Sequence, residues 1–263
     1  FKIAPRINAA GRLAHAKIAV EFLLSADGDE KSVFSDIESL NKNRKSLDED
    51  ITKEALFQLS KTPAARFTNV VYSPNWHKGV IGIVASRVIE DFYKPTIVFS
   101  GDGDLITGSA RSVKEFDIYD ILNQLKHYFI RFGGHKYAAG LTMKREILDD
   151  FSKDFEKLVA DNMSEEIRQK KISIDVDLTL EKLFQNLNKN GVPKLMRIIK
   201  QMEPFGPSNP RPVFCFKKLY FKSPPRIVGQ KHIKFLFTDS KQAKHIGGIW
   251  FNSAHNLEKI NKL

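Results

Sequence analysis

Apolar positions in the first part of the chain follow a helical pattern. Between residues 16 and 60 they recur at spacings of three, four and seven, which predicts long helices. The recurring residues are Ile37, Leu40, Leu47, Ile51, Ala55 and Leu59. No proline occurs between Pro5 and Pro63, and Gly28 predicts a break. Because a long helix with a narrow apolar stripe often connects two domains, we expect a linking helix within residues 1–60.

Residues 66–165 alternate strand-type and helix-type runs. The strand-type runs are Phe67–Tyr72, Pro95–Phe99 and Leu105–Ser109, and the helix-type runs are Gly79–Phe92, Asp117–Leu125 and Leu148–Val159. The strand-type runs are short and bounded by turn residues, as at Gly101–Asp104. Alternating strands and helices predict a small α/β domain, which we place at residues 61–165.

Residues 166–263 change to a mainly β pattern. Four runs carry apolar residues at alternating or nearly alternating positions: Ile172–Leu178, Val213–Phe221, Ile233–Phe237 and Ile246–Trp250. One helix is predicted, at Lys194–Met202. Short strands with turns between them predict a small barrel or sandwich. The predicted fold class is therefore a long linking helix, an α/β domain and a mainly-β, barrel-like domain.

The net charge is distributed unevenly between these regions. The 263 residues carry a formal net charge of +11. Residues 166–263 contain 19 Lys and Arg against 7 Asp and Glu, whereas residues 1–165 contain 23 against 24. A surface that serves only solubility mixes both signs. The asymmetry therefore favours a polyanionic partner for the second region, either nucleic acid or a membrane surface.

The composition excludes several classes of protein. No apolar run reaches about eighteen residues, so no membrane-spanning helix is predicted, and no signal peptide is visible. Cys215 is the single cysteine, which excludes an internal disulfide and a cysteine zinc cluster and fits a reducing cytoplasm. The chain begins with Phe1 rather than methionine, which predicts that it is the interior of a longer protein.

Two segments combine arginine, histidine or tryptophan with small residues. Arg6, Asn8 and Arg12 surround Ala-Ala-Gly, which lets another backbone approach, and arginine suits phosphate. Trp76 and His77 precede a predicted buried helix, whose first amide groups could bind an anion. His77 could donate to a phosphate, and Trp76 could stack on a base. The alternatives are a helix start with surface arginines and a structural histidine.

Two further segments place polar side chains beside very small residues. Ser109 ends the third predicted strand and Arg111 follows it, at a position where α/β domains bind ligands, and both side chains suit a phosphate. An ordinary polar loop is the alternative. Gly133 and Gly134 permit positive φ angles, so that His135 is expected at a backbone bend. Histidine there could donate to phosphate or transfer protons.

No arrangement of Asp and His with metal-ligand spacing is visible in the sequence. Asp48–Asp50 and Asp149–Asp150 are expected to be solvated charges on helix surfaces. The chain also lacks a nucleophile elbow, a P-loop and a dinucleotide-binding fingerprint. We therefore expect no metal ion to be bound by this chain.

Five segments occur in an order that resembles the RecJ family of the DHH phosphoesterase superfamily. They read Arg-Ile-Asn-Ala-Ala-Gly-Arg from residue 6, Trp-His-Lys-Gly-Val-Ile-Gly-Ile-Val-Ala-Ser-Arg from 76, Gly-Ser-Ala-Arg-Ser from 108, Phe-Gly-Gly-His-Lys-Tyr-Ala-Ala-Gly from 132 and Pro-Phe-Gly-Pro-Ser-Asn-Pro-Arg-Pro-Val-Phe from 204. The resemblance extends from Pro5 into the last predicted strands. Ala110 and Ser208 stand where the family more often has glycine, and neither change removes a functional side chain.

The resemblance implies a fold and an activity. Residues 1–60 would be the end of a DHH domain and a linking helix, residues 61–165 a DHHA1 domain, and residues 166–263 an oligonucleotide-binding (OB) barrel. The family degrades single-stranded DNA from the 5′ end in recombination and repair. Its two Mn²⁺ or Mg²⁺ ions are held by a front domain that this sequence does not contain, so the chain alone is expected to be inactive.

The resemblance also implies roles for individual residues. Ser109 and Arg111 would hold the terminal phosphate of single-stranded DNA. Gly133, Gly134 and His135 would face the metal site, with His135 catalytic. We expect further contacts to phosphate or DNA from Arg6, Asn8, Arg12, Trp76 and His77. A single-strand-binding protein or a helicase is a further candidate partner.

Two other functions remain open. Other DHH phosphodiesterases cleave short oligonucleotides or cyclic dinucleotides and carry a similar Gly-Gly-His segment. They usually end soon after the DHHA1 domain, so the basic region at residues 166–263 argues against them. The second alternative is a non-catalytic module that binds single-stranded nucleic acid.

Overall fold

The computed structural model describes residues 3–24, 30–63, 66–206, 208–239 and 244–262. It divides into two compact units, Phe1–Lys170 and Lys171–Leu263. The first unit contains the helical and α/β regions of the sequence, and the second contains the mainly β region. None of the helices in the described ranges combines the length and the apolar character needed to cross a membrane.

Three helices open the first unit: α1 (Ala4–Leu13), α2 (Lys17–Leu24) and α3 (Glu30–Ser60). Pro5 lies in the first turn of α1, where its missing N–H removes no helical hydrogen bond. The helices predicted between residues 16 and 60 are confirmed, whereas the break predicted at Gly28 lies outside the described residues. The apolar stripe of α3 is buried at Ile37, Ile51, Ala55 and Leu59.

A five-stranded sheet with three more α-helices completes the first unit. Its elements in chain order are β1 (Asn69–Ser73), α4 (Ile81–Asp91), β2 (Thr96–Ser100), β3 (Leu105–Arg111), α5 (Ile118–Gln124), β4 (Phe129–His135), β5 (Ala138–Lys144) and α6 (Leu148–Asn162). The strand order is β1-β2-β3-β5-β4. Only β1 and β2 are parallel, and α4 connects them. The predicted α/β character is confirmed, and β4 and β5 are added to the predicted strands.

The two faces of this sheet are covered to different extents. One face packs against α5 and α6 and includes Ile106 and Leu141 among its buried residues. The other face packs against α3 and α4, but its buried apolar sheet residues, Val71 and Val98, belong to β1 and β2. On β3, Thr107 points to the same side as Val98 and is exposed. This side of β3, β5 and β4 is called the open face.

Asp48 is buried, so the prediction of a solvated charge is wrong for this residue. Its Oδ2 atom lies 2.8 Å from Arg87 on α4 and 3.5 Å from Arg44 on α3. Burial raises the pKa of Asp48, whereas the two guanidinium groups lower it. Glu49 and Asp50 are exposed as predicted, because consecutive residues of a helix point in different directions. Asp48 therefore joins α3 to α4.

The second unit is built from short elements. They are β6 (Val176–Leu178), α7 (Leu180–Leu183), α8 (Lys194–Gln201), β7 (Phe214–Phe216), β8 (Tyr220–Val228), β9 (His232–Thr238), β10 (His245–Trp250) and α9 (Leu257–Ile260). Strands β6 and β7 pair in parallel, and β10-β9-β8 form an antiparallel sheet. A small core contains Ile233, Phe235 and Ile260. The mainly-β character is confirmed, although these strands, as far as they are described, form two sheets and no closed barrel.

Two predicted strands of this unit differ from the structure. In the run Ile172–Leu178 only the last three residues form a strand. Ile172 and Ile174 are 73% and 51% exposed, so the alternation there does not mark a face packed on a core. The run Val213–Phe221 is divided into β7 and β8, because Lys218 between them adopts a left-handed backbone with φ of 58°.

Gly133 and Gly134 lie in strand β4, and neither has a positive φ, so the predicted bend at these residues is wrong. Glycine is required at position 134 because two strands approach closely. A Cβ atom there would lie 2.5 Å from Cα of Ala139 and 2.4 Å from the carbonyl oxygen of Ala138. At Gly133 an added Cβ would meet no atom within 4 Å.

Gly134→Ala should therefore destabilise the first unit by about 1–3 kcal/mol, because the methyl group must displace backbone atoms of β5. Gly133→Ala is the matched control and should change the free energy of unfolding by less than about 0.5 kcal/mol. Urea denaturation followed by circular dichroism measures both. Equal free energies of unfolding for the two variants would show that β5 can move away from a methyl group at residue 134 without destabilising the sheet.

Candidate phosphate-binding site

Ser109 and Arg111 stand on β3 against the first turn of helix α4. Nη1 of Arg111 donates to the carbonyl oxygen of Ala110 at 2.7 Å and to Oγ of Ser109 at 3.2 Å. A Cβ atom on Gly82 would lie 2.9 Å from Nη2 of Arg111 and 3.0 Å from Oγ of Ser109. The absence of a side chain at Gly82 therefore makes the space that these two side chains occupy.

Arg12 reaches the same region from α1. Its Nη1 atom donates to the carbonyl oxygen of Gly79 at 3.2 Å. A Cβ on Gly79 would lie 2.0 Å from the carbonyl oxygen of Arg12, so the two backbones are in direct contact. Burial, and secondly the neighbouring Arg12 cation, lower the pKa of Arg111. Because an arginine side chain stays protonated in proteins, the two cations favour an anion between them.

The floor of the site consists of very small residues. Two rows of directly paired residues cross β3, β5 and β4: Ser109–Gly140–Gly133 and Arg111–Ala138–His135. Paired residues of antiparallel strands point to the same face, so Arg111 and His135 face each other across about 9.5 Å, which is two strand spacings. A Cβ on Gly140 or Gly133 would meet no atom within 4 Å. The open face therefore forms a depression between these side chains.

His77 and His135 share one hydrogen-bond arrangement. Nδ1 of His77 accepts from the backbone N–H of Gly79 at 3.0 Å, and Nδ1 of His135 accepts from that of Tyr137 at 3.4 Å. An accepting Nδ1 assigns the proton of the neutral ring to Nε2, which leaves Nε2–H as a donor. His77 is half-buried beside α4, whereas His135 is exposed at the end of β4.

Three predicted contact residues are not part of this arrangement. Trp76 is 4% exposed, and its Nε1 donates to Glu54 at 2.7 Å, so the predicted base stacking is wrong. The turn before α4 directs the indole ring into the core against α3 instead of outwards. Arg6 forms an ion pair with Glu38. Asn8 is exposed and lines a cavity of about 440 Å³ formed by residues of α1 and α2.

The open face offers donors for anions rather than ligands for cations. In the described part of the chain, no three His, Cys, Asp or Glu side chains come together in a way that could hold a metal ion. The polar groups of the site are hydroxyl, guanidinium and imidazole groups. They do not fit the divalent ions that the resemblance implies, and we assign no metal-dependent step to this chain.

A second basic surface lies on the sheet of the second unit. Arg226 on β8 pairs directly with Lys234 on β9, and Lys234 pairs with Ile249 on β10. Like charges directly opposite each other destabilise a sheet unless an anion lies between them. Tyr220 on β8, Trp250 on β10 and Phe251 after β10 are also exposed, but Trp250 pairs with the buried Ile233 and so lies on the other side of the sheet from Lys234. The predicted basic region therefore has a surface with the chemistry to bind a polyanion.

Gly82 and Gly140 complete the candidate site, although the sequence does not single them out. At both positions the only indication in the sequence is the glycine itself. Glycine inside a helix is unfavourable by roughly 0.5–1 kcal/mol relative to alanine, and glycine inside a strand often marks a close approach or a ligand. Only the contacts of Gly82 with Ser109 and Arg111 show which reason applies there.

Comparisons with known proteins agree with this architecture. The family model of the DHHA1 domain matches residues 66–161, and that of the RecJ OB domain matches residues 174–263. The single-stranded-DNA-specific exonucleases RecJ of Haemophilus influenzae and Escherichia coli are 32% and 30% identical to the chain, each over 96% of it. The chain belongs to the RecJ family.

This RecJ-family chain spans less than half the length of these relatives, namely 44% of each of the two proteins. A crystal structure of RecJ from Thermus thermophilus in complex with Mn²⁺ matches with a TM-score of 0.76 at 26% identity, covering 94% of this chain and 35% of that one. A RecJ structure bound to manganese matches at 0.57 and 31% identity, covering 65% and 42%. The predicted resemblance and the order of the two domains are confirmed.

If this site binds a terminal phosphate, Gly82→Ala should weaken the binding of a short 5′-phosphorylated single strand by about three- to tenfold, because the methyl group displaces the Arg111 guanidinium. The protein should stay folded, since the atoms that must move are the ends of two side chains. Gly103→Ala is the control, because a Cβ there meets no atom within 4 Å. Fluorescence anisotropy and thermal denaturation of the whole chain measure both effects. If Gly82→Ala leaves the affinity for the strand unchanged, Arg111 and Ser109 do not bind its phosphate.

Proposed function

We propose that this chain holds the strand in a single-stranded-DNA-specific exonuclease that digests DNA from the 5′ end during recombination and repair. The observation that carries this proposal is the placement of Ser109 and Arg111 beside Arg12 over a floor without side chains. A terminal phosphate needs converging donors, and the hydrogen-bond partners of Arg111 in this site are neutral oxygens. The printed names of the relatives support the substrate class.

Each polar side chain has a distinct part in this proposal. Arg111 and Ser109 bind the 5′-terminal phosphate, and Arg12 adds a second positive charge. His77 donates to the same phosphate through Nε2–H. His135 lies across the glycine floor, where its Nε2–H reaches the reacting end of the strand and can donate to phosphate or transfer a proton.

We place the hydrolytic metal ions in a part of the protein outside this chain. RecJ of Thermus thermophilus has been crystallised with Mn²⁺ and with Mg²⁺. Such ions activate water and stabilise the leaving oxygen of a phosphodiester. The described residues of this chain supply no comparable ligand group. Their part is to bind the strand and to orient its end.

The single cysteine and a DNA substrate favour the cytoplasm, and a single-strand-binding protein or helicase is a candidate partner. The proposed domains of the chain are residues 1–60, 61–165 and 166–263.

Arg111→Lys tests the terminal-phosphate site in the intact protein that contains this chain. A lysine is a point charge and cannot replace the planar fork of arginine, so the nuclease rate should fall about tenfold or more on a 5′-phosphorylated strand. The loss should be much smaller on a 5′-hydroxyl strand. Arg145→Lys is the control, because Arg145 follows the far end of β5 and stacks on Tyr72. Equal losses on both strands would exclude Arg111 as the reader of the terminal phosphate.

The second unit should contribute binding that depends strongly on salt. If about four to six of its basic residues contact phosphate, the slope of log K against log salt should be about −3 to −4 on single strands. Replacing Arg226 and Lys234 together by alanine should make this slope about 1.4 less negative. Lys153→Ala is the control, because Lys153 on α6 is paired with Asp150. Anisotropy titrations of the whole chain at several salt concentrations measure the slope. A slope near zero would show that the basic residues of the second unit do not bind phosphate.

A further inference from the structure

The open face extends beyond the candidate site by one more row of paired residues. Thr107 on β3 pairs with Thr142 on β5, which pairs with Arg131 on β4. This row lies next to the row that contains Ser109, at about 6.8 Å along the strands, which is two residues. Thr107 and Arg131 are exposed and Thr142 is half-buried. Two hydroxyl groups and a guanidinium therefore share the open face with the site.

A β-bulge is what places Arg131 on this face. The register of β4 against β5 shifts between Phe129, which pairs with Met143, and Arg131, which pairs with Thr142. In a regular strand, residues 129 and 131 would point to the same side. The bulge allows the Phe129 ring to enter the core, 5.4 Å from the ring of Phe151, while Arg131 points outwards. Bulges near functional sites often direct a side chain in this way.

The charge of Arg131 is not neutralised by the surrounding protein. None of the ion pairs among the described residues involves Arg131. Lys144, the next cation on the same side of β5, is paired with Glu146 at 3.2 Å. Arg131 thus keeps its planar set of donors available for an oxyanion, with the hydroxyl groups of Thr107 and Thr142 beside it.

We propose that Thr107, Thr142 and Arg131 form a second phosphate subsite, which holds an internucleotide phosphate of the strand whose terminal phosphate lies at Ser109 and Arg111. The proposal rests on the proposed function of the terminal site. The row of Thr107, Thr142 and Arg131 lies about 6.8 Å along the strands from Ser109 and about 13.6 Å from Arg111, so an extended strand reaches it within one or two internucleotide linkages of its terminal phosphate. Contacts to phosphate carry no base preference, so the subsite positions a strand of any base sequence relative to the terminal site.

The subsite also distinguishes a strand from a released mononucleotide. A mononucleotide has only the terminal phosphate, so it contacts Ser109 and Arg111 and leaves Arg131 without a ligand. A strand engages both rows and is held more tightly. The structure therefore favours retention of the shortened strand over retention of the released nucleotide.

The test measures binding of 3′-labelled, 5′-phosphorylated thymidine hexamers to the whole 263-residue chain by fluorescence anisotropy. Arg131→Ala should weaken binding about tenfold, the loss of one charge-assisted hydrogen-bonding group. Thr142→Val, which keeps the shape of the side chain, should weaken it less. Lys144→Ala is the matched control and should have no effect. The three substituted residues lie on strands β4 and β5, and thermal denaturation checks that each variant is folded.

A second set of hexamers locates the phosphate that Arg131 binds. Each carries one neutral methylphosphonate among its first three internucleotide linkages. At one of these linkages the modification should weaken binding to the unaltered chain as much as Arg131→Ala does, and the two changes together should not add. If Arg131→Ala reduces the affinity by the same factor for every hexamer, Arg131 attracts the strand only through its general charge, and the subsite is overturned.

The outcomes separate the subsite from the proposed function. If Arg131→Ala has no effect while Arg111→Ala abolishes the preference for a 5′-phosphate over a 5′-hydroxyl, the subsite fails and the proposed function stands. If Arg111→Ala keeps that preference, the terminal-phosphate role fails, whereas a linkage-specific loss with Arg131→Ala still supports a phosphate subsite. If the unaltered chain binds none of the hexamers, both fail.

Discussion

The ion pair between the buried carboxylate of Asp48 and the partly exposed guanidinium of Arg87 holds helix α4 against α3, and the geometry of the candidate site depends on the position of α4. Asp48 is fully buried, and without Arg87 only Arg44, at 3.5 Å, would remain as an ion-pair partner to offset its charge. The contact between α3 and α4 therefore resists a shift of α4. The start of α4 contacts α1 at Gly79 and β3 at Gly82. A small displacement of this helix would therefore separate Arg12 from Arg111.

Glycine serves two opposite purposes around this helix and sheet. At Gly79 and Gly134 the chain needs glycine because another backbone lies where a Cβ atom would be. At Gly133 and Gly140 nothing occupies that space, so glycine leaves the open face accessible to a ligand. The first use stabilises the fold, and the second creates the room in which a phosphate chain can lie. The two uses occur in adjacent residues of β4.

Uncompensated positive charge is the common feature of the surfaces that we propose to bind the DNA strand. In the first unit, burial and secondly the neighbouring Arg12 cation lower the pKa of Arg111, and in the second unit Arg226 directly opposes Lys234. Two cations held close together disfavour each other in the empty protein, and a bound phosphate removes that repulsion. Elsewhere on the surface, cations such as Lys153 are paired with carboxylates and have no such role.

The sequence by itself determined the helical, α/β and mainly β regions, because hydrophobic periodicity and turn residues are local properties. It also determined the family and the candidates Ser109, Arg111 and His135, because motif order does not depend on the fold. Tertiary structure alone decided that Trp76 and Asp48 are buried, that Gly133 and Gly134 lie in a strand, and that the bulge before Arg131 turns it outwards. These features arise from contacts between residues far apart in the chain, such as Trp76 with Glu54 and Asp48 with Arg87, and no local pattern encodes them.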